Sequence, residues 1–329
     1  MSEFAAGPAG RIERVRALMA ERGYDAIVVR DEANLRWLTG VKGVFDYTFE
    51  FPHAAFITAD QCLFHTDSRY LNSFEENTPA GSPWVYDMDE GTIPGWVAGK
   101  IAANKCRVCA VEDDMQINFY QGIQRGLEDR SVACMLPLMH DDIRKMRAIK
   151  DAEEIELMRH AQSITDAAFQ HMLGFIKPGM TEKQVRNELE NFMFANGADS
   201  LAFGSIVASG PNTANPHAVP SDRVIEKGDF VLMDYGAGYC DYRSDMTRTV
   251  VMGEPTQEQL DLYALVRRTH EECVAAIRAA PPCAPASGAG RARSARPPAA
   301  IRRPRRSVDR PPRGGAAGRV ADRPAARRG

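Results

Sequence analysis

The 329 residues carry 41 basic and 44 acidic side chains, a formal charge of −3, and 44% apolar residues, which excludes a fibrous or wholly disordered chain. No apolar run approaches the roughly 18 residues of a membrane span, and the first ten residues lack a signal-peptide core, so a cytoplasmic location is expected. Seven scattered cysteines, an odd number without framework spacing, argue against a disulfide scaffold.

Taken in order, residues 11–22 place Ile12, Val15, Leu18 and Met19 at helical spacing and stop at Gly23. Residues 25–29 read as a buried strand and 34–40 as a short helix or turn ended by glycine. Residues 54–58 and 62–66 read as a hairpin around Ala59-Asp60-Gln61. Further strands are expected at 107–111 and 133–138, with a helix over 117–127 between them. Helices alternating with strands describe an α/β domain. His53 and His65 are expected to be packing or surface residues rather than ligands. Cys106 and Cys109 have CxxC spacing but sit in an apolar segment without a second pair. On a strand their thiols would point to opposite faces, so a structural role is expected.

Residues 144–150 join this domain to a long helical pattern with Ile155, Met158, Ala161, Ile164, Ala168 and Met172 on one face. Asp151, Glu153 and Glu154 place negative charge on its first turn, where the helix dipole favours it. Thr181 and Gln184 have capping-box spacing for a next helix carrying Val185, Leu189 and Met193. A strand at Ile206-Val207 and a loop from Ser209 lead to His217. A last helix is expected from Glu258 to about Arg278, with His270 facing solvent.

Residues 230–251 open with an apolar run, break at Gly236 and Gly238, and close with Thr247-Arg248-Thr249-Val250-Val251, the pattern of a β-hairpin. With the turn centred on Tyr239 and Cys240, Asp234 falls opposite Asp245, with Cβ atoms roughly 4.5–5.5 Å apart. Two carboxylates that close repel, and a divalent cation between them removes the repulsion. Two ions roughly 3.5–4 Å apart are the arrangement of two-metal hydrolases. On spacing alone, two aspartates at a solvent-exposed hairpin rim fit as well. His217 lies seventeen residues before Asp234, with Pro216 and Pro220 restricting the local backbone. That restriction suits a group meant to meet a substrate carbonyl.

Pro216-His217, Gly228-Asp229, the Asp234/Asp245 pair and Ser244-Asp245-Met246-Thr247-Arg248-Thr249 together resemble the creatinase/aminopeptidase P/prolidase family of metallopeptidases. Residues 34–40 and Asp67-Ser68-Arg69-Tyr70 are similar to its N-terminal domain. The resemblance implies an α+β chain: an N-terminal creatinase-like α/β domain at 1–139, then the N-terminal part of a pita-bread catalytic domain at 140–278. It implies Asp234 and Asp245 as the first two ligands of a site for two divalent ions, Mn²⁺, Co²⁺ or Zn²⁺. It implies His217 as the residue that helps hold the substrate and steadies the tetrahedral intermediate. The implied reaction is attack of a metal-held water on the bond before proline, in a peptide with proline second. A homodimer is implied as well. Creatinase itself fits less well, since it works without this metal set. Methionine aminopeptidase fits less well because a whole α/β domain comes first.

From residue 279 the composition changes: 42 of the last 51 residues are Ala, Arg, Pro or Gly, without Lys, Leu or aromatics. Thirteen Arg against two Asp give this segment +11, leaving −14 for the rest. Such a segment cannot bury enough apolar surface to order itself, and a disordered tail is expected. A nucleic-acid-binding tail would interleave aromatics and lysines, so nucleic acid is not an expected partner, nor is a membrane. A linker would use more Gly and Ser. Translation of a GC-rich gene in the wrong frame yields this mixture and is the favoured reading. The resemblance calls for one histidine and two glutamates further along, yet no histidine follows His270 and no glutamate follows Glu272. The metal set is therefore expected to be incomplete and the chain inactive as written. A non-catalytic pita-bread module that binds peptides is the alternative.

Overall fold

The computed structural model describes residues 7–44, 52–88 and 91–277. The tail expected at 279–329 lies outside the described residues.

The N-terminal half begins with α1 (Gly7–Arg22), β1 (Ala26–Val29), α2 (Glu32–Thr39), β2 (Ala54–Thr58) and β3 (Cys62–His65). It continues through α3 (Leu71–Asn77), β4 (Val85–Asp87), α4 (Ile93–Ala103), β5 (Cys109–Val111) and α5 (Ile117–Glu128). The strands form one sheet in the order β4-β3-β2-β1-β5, antiparallel where β2 meets its neighbours and parallel at β1–β5 and β3–β4. Alternation along the strands sends Ile27, Val29, Ala55 and Ile57 to a core with Ile12, Val15, Leu35 and Phe74. The intervening Ala26, Val28, Ala54 and Phe56 pack on Trp96, Val97, Ile101 and Ile123 of α4 and α5. The result is a sheet covered by helices on both faces.

Local chemistry sets the helix ends. The Asp31 side chain accepts from Asn34 N at 2.8 Å to open α2, and Gly40 closes it in the left-handed conformation at φ 68°. Residues 133–138, expected as a strand, make only isolated parallel bridges, Val108 with Met135 and Val111 with Leu138. Pro137 has no N–H to donate, and its position interrupts the ladder that Met135 and Met139 otherwise make with Arg107 and Val111. Cys106 and Cys109 are both buried in one apolar cluster rather than on opposite faces, because Cys106 precedes the strand. His53 packs among Phe64, Tyr70 and Phe74, and His65 is also buried.

Where the sequence suggests a joining segment, α6 (Asp142–Ala148) forms and buries Ile143 in the first core. The second half contains α7 (Ala152–Phe175), α8 (Glu182–Ala195), β6 (Ser200–Leu201), β7 (Ile206–Ser209) and a 3₁₀ turn at Gly210–Ala214. It goes on to β8 (Phe230–Tyr235), β9 (Ala237–Tyr239), β10 (Tyr242–Arg243), β11 (Met246–Val251) and α9 (Gln257–Ala276). The capping box expected at Thr181–Gln184 forms, and the acidic first turn of α7 makes a second one, Asp151 with Glu154. Val185, Leu189 and Met193 of α8 pack with Ile164, Ala168 and Met172 of α7 on Val231, Met233 and Tyr235 of β8.

Ile155 and Met158, expected on the same buried stripe of α7, are 39% and 36% exposed. The first turn of α7 makes polar contacts instead. Buried Glu154 accepts from Tyr242 Oη at 3.0 Å, and Arg11 of α1 meets Asp151 at 2.9 Å. From Leu265 onward a second unit is distinguished, whose described residues are the later turns of α9. Apart from half-buried Gln259, the described residues of α9 are exposed, His270 among them.

Candidate functional site

The hairpin that carries the two aspartates runs through two small sheets. Strands β8 and β11 lie in the order β11-β8-β7, whereas β9 and β10 lie in the order β10-β9-β6. Its turn is Cys240-Asp241, both left-handed at φ 45° and 70°, as a two-residue hairpin turn requires. Asp241 tolerates that conformation better than most residues, and its carboxylate is ion-paired to Arg36 of α2. The Cys240 N–H donates to Asp199 at 2.6 Å.

The turn is therefore centred one residue later than the sequence suggests, and every pairing shifts with it. Asp234 faces Thr247, whose hydroxyl donates to Asp234 Oδ1 at 2.9 Å. Asp245 sits just before β11, two residues from Thr247 and hence on the same side of the strand. The two aspartates are diagonal rather than direct neighbours, a relationship that places backbones roughly 7–8 Å apart. Their shared face is the one turned away from α7 and α8: Tyr235 and Met246 point into the core, Asp234 is half-buried and Asp245 exposed.

Two residues beside the aspartates, Gly236 and Ser244, shape this corner. A Cβ on Gly236 would overlap the Ser244 carbonyl, so only glycine allows the two strands to approach there. Ser244 is buried, and its hydroxyl bonds Thr165 Oγ1 at 2.6 Å and accepts from Ala237 N at 2.9 Å. The hydroxyl thus anchors the residue before Asp245 to α7. The sequence signal for both is their place beside the aspartates.

His217 follows the 3₁₀ turn, which lies against β8. It is exposed, and its backbone N–H donates to Asn215 Oδ1 at 3.2 Å. Asp229 stands at the entry to β8. Burial opposes its ionisation, but hydrogen bonds from Arg223 and Glu226 N outweigh burial and hold its carboxyl below the usual range. A cavity of about 770 Å³ lies between α2, α6, the start of α7 and the hairpin tip, and none of His217, Asp234 and Asp245 lines it.

Among the described residues, no group of three or more His, Cys, Asp or Glu side chains is gathered so as to hold a metal ion. Hard divalent cations take about six or more oxygen ligands. Asp234 and Asp245 alone therefore do not fit a pair of ions, although their chemistry and shared face suit part of such a set.

The profile of metallopeptidase family M24 matches residues 156–292, and that of the creatinase/prolidase N-terminal domain matches residues 11–149. The peptidase YqhT of Bacillus subtilis is 34% identical over 263 residues, covering 78% of this chain and 69% of that protein. A Xaa-Pro dipeptidase of Pyrococcus furiosus is 41% identical over 138 residues, 42% of this chain and 40% of its own length. The alignment thus spans well under half of that relative. The solved structure of a Xaa-Pro dipeptidase from Bacillus anthracis matches with a TM-score of 0.72 and 34% identity, covering 82% of this chain and 72% of that one. An X-Pro aminopeptidase structure from Thermotoga maritima matches with a TM-score of 0.68 and 29% identity, over 79% and 70% of the two chains.

Proposed function

Since the chain belongs to metallopeptidase family M24, with a creatinase-like domain ahead of its pita-bread part, we propose that its ancestral reaction is hydrolysis of the peptide bond before proline. The observation that carries the site assignment is the placing of Asp234 and Asp245 on one face of adjacent strands, opposite the face packed on α7 and α8. In this reading both aspartates are ligands of a divalent metal pair, Mn²⁺, Co²⁺ or Zn²⁺. His217 contacts the substrate and donates to the oxyanion of the tetrahedral intermediate. The substrate is a peptide with proline in second position, and the protein works in the cytoplasm as a homodimer.

The metal pair, when bound, supplies an activated water and a Lewis acid. No histidine follows His270 and no glutamate follows Glu272 to complete the ligands of the peptidase part at 140–278. The 329-residue chain therefore binds divalent ions weakly and hydrolyses no Xaa-Pro peptide. The segment 279–329 is read as an out-of-frame translation that replaces the rest of the site. A second reading, a peptide-binding module without catalysis, draws on the described residues gathering no group of three or more metal-ligating side chains. The presence of His217, Asp234 and Asp245 weighs against it, because a binding module has no need of two carboxylates on one face.

The test compares this chain with one whose reading frame is corrected near Ala279, measuring metal by elemental analysis and hydrolysis of Xaa-Pro peptides. The corrected chain should gain both. Stoichiometric metal and turnover in the uncorrected chain would overturn the reading and require another ligand set.

A further inference from the structure

Glu182, at the first position of α8, has no solvent exposure. Its Oε1 accepts from Ser209 N at 2.7 Å, Ser209 Oγ at 2.9 Å and Asn212 Nδ2 at 3.0 Å. Its Oε2 accepts from Ser221 N at 3.0 Å and Ser221 Oγ at 2.6 Å. Ser209 ends β7, and Ser221 lies four residues beyond His217. One carboxylate thus holds both ends of the loop on which His217 sits.

A carboxylate is kept charged out of water only where donors replace its hydration. Burial works against the charge of Glu182, but hydrogen bonds from Ser221, Asn212 and Ser209 outweigh it and hold the carboxyl below its usual range. The helix does not need this side chain as a cap, because Thr181 and Gln184 already form the capping box. Arg223 extends the arrangement: its Nη1 donates to Ser209 Oγ and to Asp229 Oδ2, each at 2.6 Å, tying the loop to the entry of β8. Between the anchors, Pro216 and Pro220 limit the backbone further.

We propose that Glu182 is the positioning residue for His217, its two oxygens clasping the ends of loop 209–221 so that the imidazole keeps one direction of approach to a substrate. The proposal rests on the reading of His217 given under Proposed function. Glu182 acts through the loop and takes no part in bond making.

The experiment uses the full chain labelled at histidine, with the His217 ring signal assigned by its absence in His217→Ala. Amide exchange and the His217 signal are followed in Glu182→Ala, Glu182→Gln and Ser221→Ala. In Glu182→Ala, exchange at Ser209 and Ser221 should rise about tenfold or more, as expected for lost bonds to a charged acceptor. Glutamine keeps a single accepting oxygen, so Glu182→Gln should release one anchor and retain the other. Ser221→Ala should loosen the second anchor alone. In all three, the His217 signal should shift or broaden while exchange in β8 stays as in the parent.

An unmoved His217 signal with unchanged loop exchange in Glu182→Gln and Ser221→Ala would overturn the proposal. So would a rise in β8 exchange that accompanies the loop, since Glu182 would then merely support the fold. Should Glu182→Ala not fold, the other two variants decide. If His217 itself has no part in hydrolysis, His217→Ala will keep normal turnover in the frame-corrected chain while these exchange patterns stand, so the two failures are told apart.

Discussion

The Thr247 hydroxyl donates to Asp234 Oδ1 across the β8–β11 ladder at 2.9 Å, so a neutral side chain holds the carboxylate proposed above as a metal ligand. Thr247→Val keeps the β-branched shape and removes the donor. In a frame-corrected chain it should weaken metal affinity about 10–100-fold, as for lost partners of ligating groups, and cost under about 1.5 kcal/mol of stability. Metal titration against urea unfolding separates the two. Unchanged affinity would show that Asp234 is oriented by something else.

Asp245→Asn should abolish metal binding in the corrected chain and leave the hairpin folded, because Asp245 is exposed. Retention of two ions per chain would remove Asp245 from the ligand set. His217→Ala should keep the metal content and lower turnover by about 2.7–4 kcal/mol, the loss typical of an oxyanion donor. Normal turnover on Xaa-Pro peptides would exclude it from the mechanism.

Gly236→Ala should destabilise the second half by about 3 kcal/mol or more, since the new methyl meets the Ser244 backbone rather than a movable side chain. Thermal unfolding measures it. A loss under about 1 kcal/mol would mean that the strands separate there at little cost.

Two buried groups give opposite pH slopes in the first half. Glu112, which accepts from Arg30 N, Asp31 N and Asn34 Nδ2, has its carboxyl pushed up to about 7 by burial, against the pull of those bonds. Its usual value is near 4.5, so the folded chain holds the extra proton between the two. Its contribution to stability should therefore fall by about 3 kcal/mol as pH rises through that window. Burial pushes His53 down to about 4 from 6.5, and its contribution is lost as pH falls through that range. Urea unfolding from pH 4 to 7.5 tests this. Stability of the parent relative to Glu112→Gln should decline with rising pH, and relative to His53→Gln it should decline with falling pH. Flat differences would show that neither group titrates abnormally.

Features governed by near neighbours are legible in the amino-acid sequence alone. The capping boxes at Asp151 and Thr181, the αL stop at Gly40 and the alternating burial of β8 all follow from side chains within a few residues of one another. The hairpin itself is legible but its register is not. Its turn falls on Cys240 and Asp241, neither of them glycine, and Asp241 is held by Arg36 from the other half of the chain. The helix α4 has no clear periodic signature because Trp96, Val97, Ala98 and Ile101 are all buried, which leaves little polar contrast. Ile155 and Met158 mislead for the opposite reason: they repeat the helical stripe where the helix meets polar partners. The burial of Glu182 has no local signal at all, because the loop that covers it is distant in sequence.

The single register kept through both sheets of the hairpin also fixes what length changes the gene can survive. Tyr235 with Met246 and Tyr239 with Tyr242 obey one register across both sheets. One codon gained or lost between Asp234 and Asp245 would turn one carboxylate to the opposite side of its strand. Insertions in the exposed stretch after Met252 carry no such penalty. Natural indels in this region should therefore avoid the hairpin and collect beyond it, and a graft of the aspartate pair into another scaffold must carry all twelve residues from Asp234 to Asp245 as a unit.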